Sequence, residues 1–274
     1  TGVGHEALAV LTTGSNNTAI GRRTLDANTT GSSNTAVGRL ALSANTTADN
    51  NTAIGLEAMA ANTTGASNVA VGALALDANT EGDFNVAMGF YALGAATTAD
   101  KNVAVGSGAG QSITTGANNV AIGADALDAN TTASNNTAIG SDALGANTTG
   151  AENVAIGAGA LDANTTAGNN TAVGRHALGS NTTGEINSAF GSFAMYTNTT
   201  GYGNTAVGRS ALYTNNGNDN TAVGHEALEL NTSGAENVAV GRESLEANTT
   251  GGENVGVGHR ALESNTTGAA NTAL

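Results

Sequence analysis

The chain repeats itself every 17 residues, and this period limits the folds open to it. Glycine recurs at this interval from Gly4 to Gly208; Gly224 then comes one residue early, and Gly241 and Gly258 restore the interval. Counted from the asparagine four residues before each glycine, the repeat reads N-[TV]-A-[IV]-G-x-x-A-L-x-A-N-T-T-G-x-x, and we number its residues as positions 1 to 17. A fixed period of this kind is typical of solenoids, in which each repeat packs on its neighbours.

The length of the repeat selects the type of solenoid. Seventeen residues are too few for a strand plus a helix, and the chain has neither a seven-residue apolar pattern nor glycine at every third residue. The segment N-T-A-V-G predicts one short strand, A-L-x-A a second strand, and N-T-T-G a turn. The sequence therefore predicts an all-β, parallel β-solenoid of about sixteen coils that occupies residues 1–274 as a single repeat domain.

Asparagine and glycine have defined roles in such a stack. Identical coils place identical side chains in register, so the asparagines at positions 1 and 12 can form amide ladders along the stack. The glycine at position 5 never varies, which indicates a corner with positive φ or a close backbone approach. Position 15 accepts alanine in four copies and is less demanding. The first predicted ladder residues are Asn17, Asn34, Asn51, Gly21, Gly38 and Gly55.

One chain supplies little apolar side chain for its own core, because each coil carries only four apolar residues, three or four of them small. Along the first strand, positions 2 and 4 point one way and positions 3 and 5 the other, so two faces require cover. A single roll has one interior. We therefore expect the chain to associate with itself, as a homotrimer in which positions 2 and 4, or positions 8 and 9, form the contact between chains.

The strings Asn119-Val-Ala-Ile-Gly123, Asn153-Val-Ala-Ile-Gly157 and Asn102-Val-Ala-Val-Gly106 resemble the head repeat of YadA-type trimeric autotransporter adhesins. This resemblance extends over the whole chain and implies left-handed parallel β-rolls that intertwine as trimers on bacterial surfaces. Similar repeats occur in phage and prophage tail-fibre-like proteins. The sequence departs from an adhesin in having no coiled-coil stalk and no membrane anchor, and its N-T-T-G turn is longer than in the usual head repeat.

Composition narrows the range of partners. The net charge of −14 and pI near 4.4 argue against nucleic-acid binding, which requires a basic face. No segment is apolar enough to span a membrane, and cysteine is absent. The chain begins at Thr1 in position 2 and ends at Leu274 in position 4 without the atypical capping repeats of a solenoid, which is the pattern expected of a segment from a longer fibre.

The distribution of charged residues predicts a solvated surface and no active site. All of them except Glu81 fall in positions 6, 7, 10, 16 and 17. The four histidines are never in neighbouring coils, and no nucleophile–base pair recurs, so we expect no metal site, no cofactor and no enzyme activity. Glu229, Glu246 and Glu263 form a column at position 10, for which solvent screening is the simpler explanation and a bound cation the alternative.

Aromatic residues concentrate near the end of the chain. Phe193, Tyr196, Tyr202 and Tyr213 form a candidate adhesive patch for a host-surface glycan or protein, although packing between coils explains them about as well. Two irregular coils carry further predictions. We expect Ile113 to turn inward and fill the space left by Gly110, and we expect the deletion near Asn216 to shorten a turn while both strands stay in register.

These observations favour the shaft or stalk of an extracellular filament, on a cell surface or a virion, with adhesion to cells or surfaces as an associated role. A phage or prophage tail-fibre shaft is the alternative. An ice-binding β-solenoid ranks lower, because the threonine columns at positions 13 and 14 are adjacent in a turn and do not alternate on a flat strand.

Overall fold

A computed structural model describes all residues 1–274 as a parallel β-solenoid of about 16 turns with no helix, as the period predicted. No helix in it could therefore cross a membrane. Nearly every turn contributes one strand of three residues, at positions 2 to 4. The strands are β1 Gly2–Val3, β2 Thr18–Ile20, β3 Thr35–Val37, β4 Thr52–Ile54, β5 Val69–Val71, β6 Val86–Met88, β7 Val103–Val105, β8 Val120–Ile122, β9 Thr137–Ile139, β10 Val154–Ile156, β11 Thr171–Val173, β12 Ser188–Phe190, β13 Thr205–Val207, β14 Thr221–Val223, β15 Val238–Val240, β16 Val255–Val257 and β17 Thr272–Ala273.

The chain divides into two compact units, Thr1–Asn136 and Thr137–Leu274. The first contains β1 to β8 and the second β9 to β17, and within each unit consecutive strands pair in parallel. Pairing is position for position, so Thr35 lies opposite Thr52 in the first unit and Val154 opposite Thr171 in the second. The same 17-residue coil therefore builds both units.

The predicted second strand, A-L-x-A, is wrong. Residues at positions 6 to 11 form turns, and the leucines at position 9 have left-handed backbones, as at Leu25 and Leu42, both with φ of 51°. This conformation curls the chain and directs the leucine side chain into the coil. The turn still bonds to its neighbours, since the Leu25 amide donates to the Ala41 carbonyl at 3.2 Å. An apolar pair inside a tight roll thus resembles a strand in sequence alone.

The interior of each coil is formed by alanines at positions 3 and 8 and the large residue at position 9. Ala36, Ala41 and Leu42 are fully buried within their own chain. Positions 8 and 9 therefore cannot form the contact between chains, and that part of the prediction is wrong. Positions 2 and 4 point outward instead, as the alternation of the strand predicted.

The position-5 glycines all occupy the same corner, as predicted, with φ between 127° and 145°. A Cβ atom on Gly55 would lie within 3.0 Å of the carbonyl carbon and oxygen of Gly72 in the next coil. Glycine is therefore required for two reasons, the positive φ and the close approach of the coils. At position 15 the coils approach as closely but φ is not positive, which fits the alanines found there.

The asparagines at position 1 are buried and join the coils. The Asn17 carbonyl oxygen Oδ1 accepts the backbone N–H of Asn34 at 3.0 Å. The Asn34 Nδ2 donates to the carbonyl of Ala48 at 2.8 Å, which closes its own coil, and the Asn34 Oδ1 accepts the backbone N–H of Asn51 at 2.9 Å. Each side chain uses both its donor and its acceptor, so neither aspartate nor leucine can replace it.

The asparagines at position 12 form a second ladder, from side chain to side chain. The Asn45 Nδ2 donates to Asn28 Oδ1 at 3.0 Å, and the Asn62 Nδ2 donates to Asn45 Oδ1 at 3.0 Å. The ladder stops at Asn79, whose buried Oδ1 has no hydrogen-bond partner because the next coil has Ala96 at this position.

The coil after Ala96 carries the predicted compensation. Ile113, at position 12, is fully buried. A Cβ atom on Gly110 would lie 3.0 Å from the Cδ1 of Ile113 and 3.2 Å from Cδ2 of Leu93, so the isoleucine fills the space that leucine occupies in regular coils. The prediction for Ile113 is confirmed.

The one-residue deletion shortens a turn and leaves the strands in register, as predicted, with Thr205 opposite Thr221. In regular coils the amides of positions 13 and 14 donate to the position-13 carbonyl of the next coil. Here the side-chain Oδ1 of Asn216 replaces that carbonyl and accepts the N–H of Thr199 at 2.8 Å and that of Thr200 at 3.3 Å. A side-chain amide thus substitutes for the missing peptide group.

Candidate functional site

The most extensive candidate for a functional surface is the outer face of the strands. Positions 2 and 4 carry threonine, valine, isoleucine or similar residues in every coil and never a charged one. Position 2 is half-buried, whereas isoleucines such as Ile20 and Ile54 at position 4 are about two-fifths exposed (43% and 40%). Each unit therefore presents an uncharged, β-branched stripe on a molecule that otherwise has a net charge of −14. A repeated apolar surface of this kind is typical of a protein contact.

A second candidate is an aromatic cluster formed by His176, Phe193, Tyr196 and Tyr213. His176 stacks on Phe193 with ring centroids 5.7 Å apart, and Phe193 meets the edge of Tyr196 at 5.5 Å. Tyr196 also contacts Tyr213 in the next coil at 5.5 Å, with the rings tilted by 37°. All four rings are half-buried. The cluster follows from the repeat, because positions 7 and 10 of successive coils lie one above the other.

The structure brings together three of the four residues of the predicted adhesive patch. Phe193, Tyr196 and Tyr213 belong to the aromatic cluster, whereas Tyr202 lies at position 16, half-exposed and without a ring contact. Two members were missed in the sequence. His176 shares position 7 with Phe193, a signal that the repeat numbering contains. Arg175 places its guanidinium 4.6 Å from the Phe193 ring centre and covers one face of the ring.

Three carboxylates meet near the end of the chain. Oxygens of Glu243, Glu246 and Glu263 lie within 4.8 Å of one another. The first of these differs from the predicted column, because Glu243 stands at position 7. It is buried and accepts a hydrogen bond from Arg260 at 2.6 Å and another from Arg242. Hydrogen bonds from Arg260 first, and from Arg242, lower the pKa of Glu243. Two arginines thus already balance this carboxylate, which weakens its affinity for a cation.

Glu229, the remaining member of the predicted column, has a different environment. Burial raises the pKa of Glu229, and the nearby carboxylates of Glu226 and Glu246 raise it further. Burial also raises the pKa of Asp77 and of Asp162, both at position 10. The Asp77 Oδ1 atom is buried without a partner. Position 10 therefore places carboxylates where the coil surface partly removes their hydration.

The threonine columns are less available to solvent than the sequence indicated. At position 13 the hydroxyl donates to the carbonyl of position 13 in the next coil, as from Thr63 to Thr80 at 2.9 Å and from Thr182 to Thr199 at 2.9 Å. These hydroxyl protons are used to hold the stack together. Only position 14 presents fully exposed threonines, in a single column.

In comparisons with known proteins, no protein-family model matches the chain and no curated protein is similar to it in sequence. The arguments for function therefore depend on the repeat and on the surfaces described above.

Proposed function

We propose that the chain forms the shaft of an extracellular filament or surface appendage, in which three copies, each a left-handed roll, pack through the outer faces of their strands. The observation that carries this proposal is the stripe at positions 2 and 4, which repeats without a charge in both units. Burying about two-fifths of each isoleucine or valine in every coil against a second copy would remove apolar surface from water at each level of the stack. The resemblance to the head repeats of YadA-type adhesins supports the same assembly.

The absence of variation along the chain also supports a mechanical role. Sixteen asparagines at position 1 and the glycines at position 5 build one coil repeatedly, and each hydrogen-bonded ladder ties a coil to the next. A structure of this type resists extension through many equivalent bonds. Cell-surface appendages and phage tail fibres both use such shafts, and we place the bacterial surface appendage first. Ice binding is the weaker alternative, because the position-13 hydroxyls donate within the stack.

The oligomeric state tests this proposal. Light scattering after gel filtration should give three times the chain mass of 26.5 kDa. Val223→Lys introduces a charge in the stripe and should reduce the mass to that of one chain, because a buried lysine without a partner is costly. Thr250→Lys, at exposed position 14, is the matched control and should leave the trimer intact. A parent protein that is monomeric at low micromolar concentration would refute the proposal.

Adhesion is a second candidate function, and the aromatic cluster is the observation that favours it. Replacing Tyr196 and Tyr213 with serine should weaken binding to a glycan array or to host cells while the trimer mass is unchanged. Tyr202→Ser removes an exposed ring outside the cluster and is the matched control. Equal binding by the parent and the double variant would assign the chain a passive shaft role only.

A further inference from the structure

One edge of the exposed strand face carries nearly all of the positive charge. Position 6, immediately after the corner glycine, contains five of the eight lysine and arginine residues and three of the four histidines. It contains no acidic residue, although the chain has 22 of them. These residues are Arg22, Arg39, Arg175, Arg209, Arg242, His5, His225 and His259.

The opposite edge is acidic. Positions 16 and 17 precede the strand by one or two residues and carry one lysine and eight carboxylates. The aspartates at position 16 have a structural role as well, since Asp83 Oδ1 accepts the backbone N–H of Ala66 at 2.7 Å. The eight residues are Asp49, Asp83, Asp100, Glu152, Glu185, Asp219, Glu236 and Glu253.

In the unit Thr137–Leu274 the two edges are matched coil by coil. Four coils that have a basic residue at position 6 also have an acid at position 16 or 17. The pairs are Arg175 with Glu185, Arg209 with Asp219, His225 with Glu236, and Arg242 with Glu253. The coils that begin at Asn153 and Asn187 have neither. The first unit contains one such pair, Arg39 with Asp49.

The two members of a pair do not form an ion pair with each other inside one chain, because the strand separates the edges. The four acids are exposed and form no ion pair within the chain. The arginines contact position-7 glutamates, as Arg209 contacts Glu226 at 3.2 Å, yet the side chains of Arg209 and Arg242 remain 58% and 60% exposed. A guanidinium has five N–H donors and can bind a second carboxylate.

We infer that neighbouring copies pack in parallel and in the same coil register, with the position-6 edge of one copy against the position-16 and 17 edge of the next. A contact between two different edges is heterologous and closes into a ring around an axis along the coil stack. Antiparallel stacks would place like charges together, and a shift in register would leave charged coils opposite neutral ones. This inference rests on the proposed self-association and adds how the copies are oriented and aligned.

Charge reversal tests the inference. The variant Arg209→Glu with Arg242→Glu, and separately Asp219→Arg with Glu253→Arg, should each weaken trimer formation at low salt by about tenfold or more, since each reversed edge faces a like charge in its neighbour. Combining all four substitutions reverses both edges and should restore the parent's trimer mass. Circular dichroism establishes that each variant retains its β-structure.

A matched control introduces the same change in net charge as the arginine reversal without touching either edge. Replacing the exposed position-14 residues Thr149, Thr166, Thr183 and Thr250 with glutamate should leave the trimer intact. If the parent is a trimer and the edge reversals stay trimeric, or if the four-fold variant is no more stable than the two-fold variants, the inference is wrong and the proposed shaft stands. If the parent is a monomer, both fail.

Discussion

At the scale of single residues, the structure depends on glycines and asparagines that stand where the coils touch. Gly241 and Gly258 share position 5 and have similar backbones, with φ of 131° and 127°. A Cβ atom on Gly241 would lie within 3.0 Å of the carbonyl carbon and oxygen of Gly258, whereas one on Gly258 would meet nothing within 4 Å. The pair therefore separates the cost of positive φ from the cost of close approach.

We expect Gly258→Ala to lower the free energy of unfolding by about 1–3 kcal/mol, the cost of an unfavourable backbone conformation. Gly241→Ala should cost about 1–3 kcal/mol more, because its methyl group also overlaps the next coil. Urea unfolding monitored by circular dichroism measures both values. Equal losses in the two variants would show that the stack relaxes around the methyl group, as it does around the alanines at position 15.

At the scale of one coil, irregular residues occur together and compensate for each other. The coil that begins at Asn102 exchanges leucine for Gly110 and asparagine for Ile113, and the buried isoleucine fills the vacated space. The coil before it has Ala96 at position 12, which leaves the Asn79 Oδ1 without a partner. An apolar contact thus replaces two steps of the amide ladder. The regular coil is one solution to filling this space, and the isoleucine is another.

A double-mutant cycle tests this compensation. Ile113→Asn alone should destabilise by about 3 kcal/mol, because it opens a cavity beside Gly110. Gly110→Leu alone should cost about 1–3 kcal/mol, since its side chain meets the Cδ1 of Ile113. Together they recreate a regular coil and should cost less than about 1 kcal/mol, because the asparagine introduced at position 12 can donate to the carbonyl of Gly116, as asparagines do in other coils. Additive losses would contradict the compensation.

At the scale of the whole molecule, negative charge opposes folding and assembly. The chain carries 22 acidic and eight basic residues, and burial raises the pKa of Asp77, Asp162 and Glu229. A carboxyl group whose pKa is higher in the folded state than in the unfolded state binds more protons when folded. Stability is then gained as the pH falls toward the raised pKa and lost as the pH rises through it. Glu243, with its lowered pKa, acts oppositely and only below its ordinary value of 4.5.

We therefore expect the melting temperature to be higher at pH 5 than at pH 7. The combined variant Asp77→Asn, Asp162→Asn and Glu229→Gln should be more stable than the parent at pH 7 and should show a smaller difference between the two pH values. Differential scanning calorimetry measures these temperatures. Glu81→Gln, which neutralises an exposed acid at position 14, is the control and should leave the difference nearly unchanged. A parent that melts lower at pH 5 would contradict the assignment.

The repeat by itself determined the parallel solenoid, the outward direction of positions 2 and 4, the corner at position 5 and the inward turn of Ile113. Each of these follows from a requirement that every coil meets separately, so comparing sixteen copies in one chain exposes it. An invariant glycine or asparagine reports a local backbone or hydrogen-bonding demand, and strand alternation assigns faces without knowledge of the neighbours.

Tertiary structure alone decided what depends on the path between those positions. The left-handed residues at positions 7 and 9 convert the predicted second strand into a turn, which buries positions 8 and 9 and leaves one outer face for contact with another chain. The aromatic cluster around Phe193, the two arginines on Glu243 and the replacement of a peptide carbonyl by Asn216 also emerge only in the folded chain. Each joins residues of neighbouring coils, and the distances between those residues are set by the stacking of the coils.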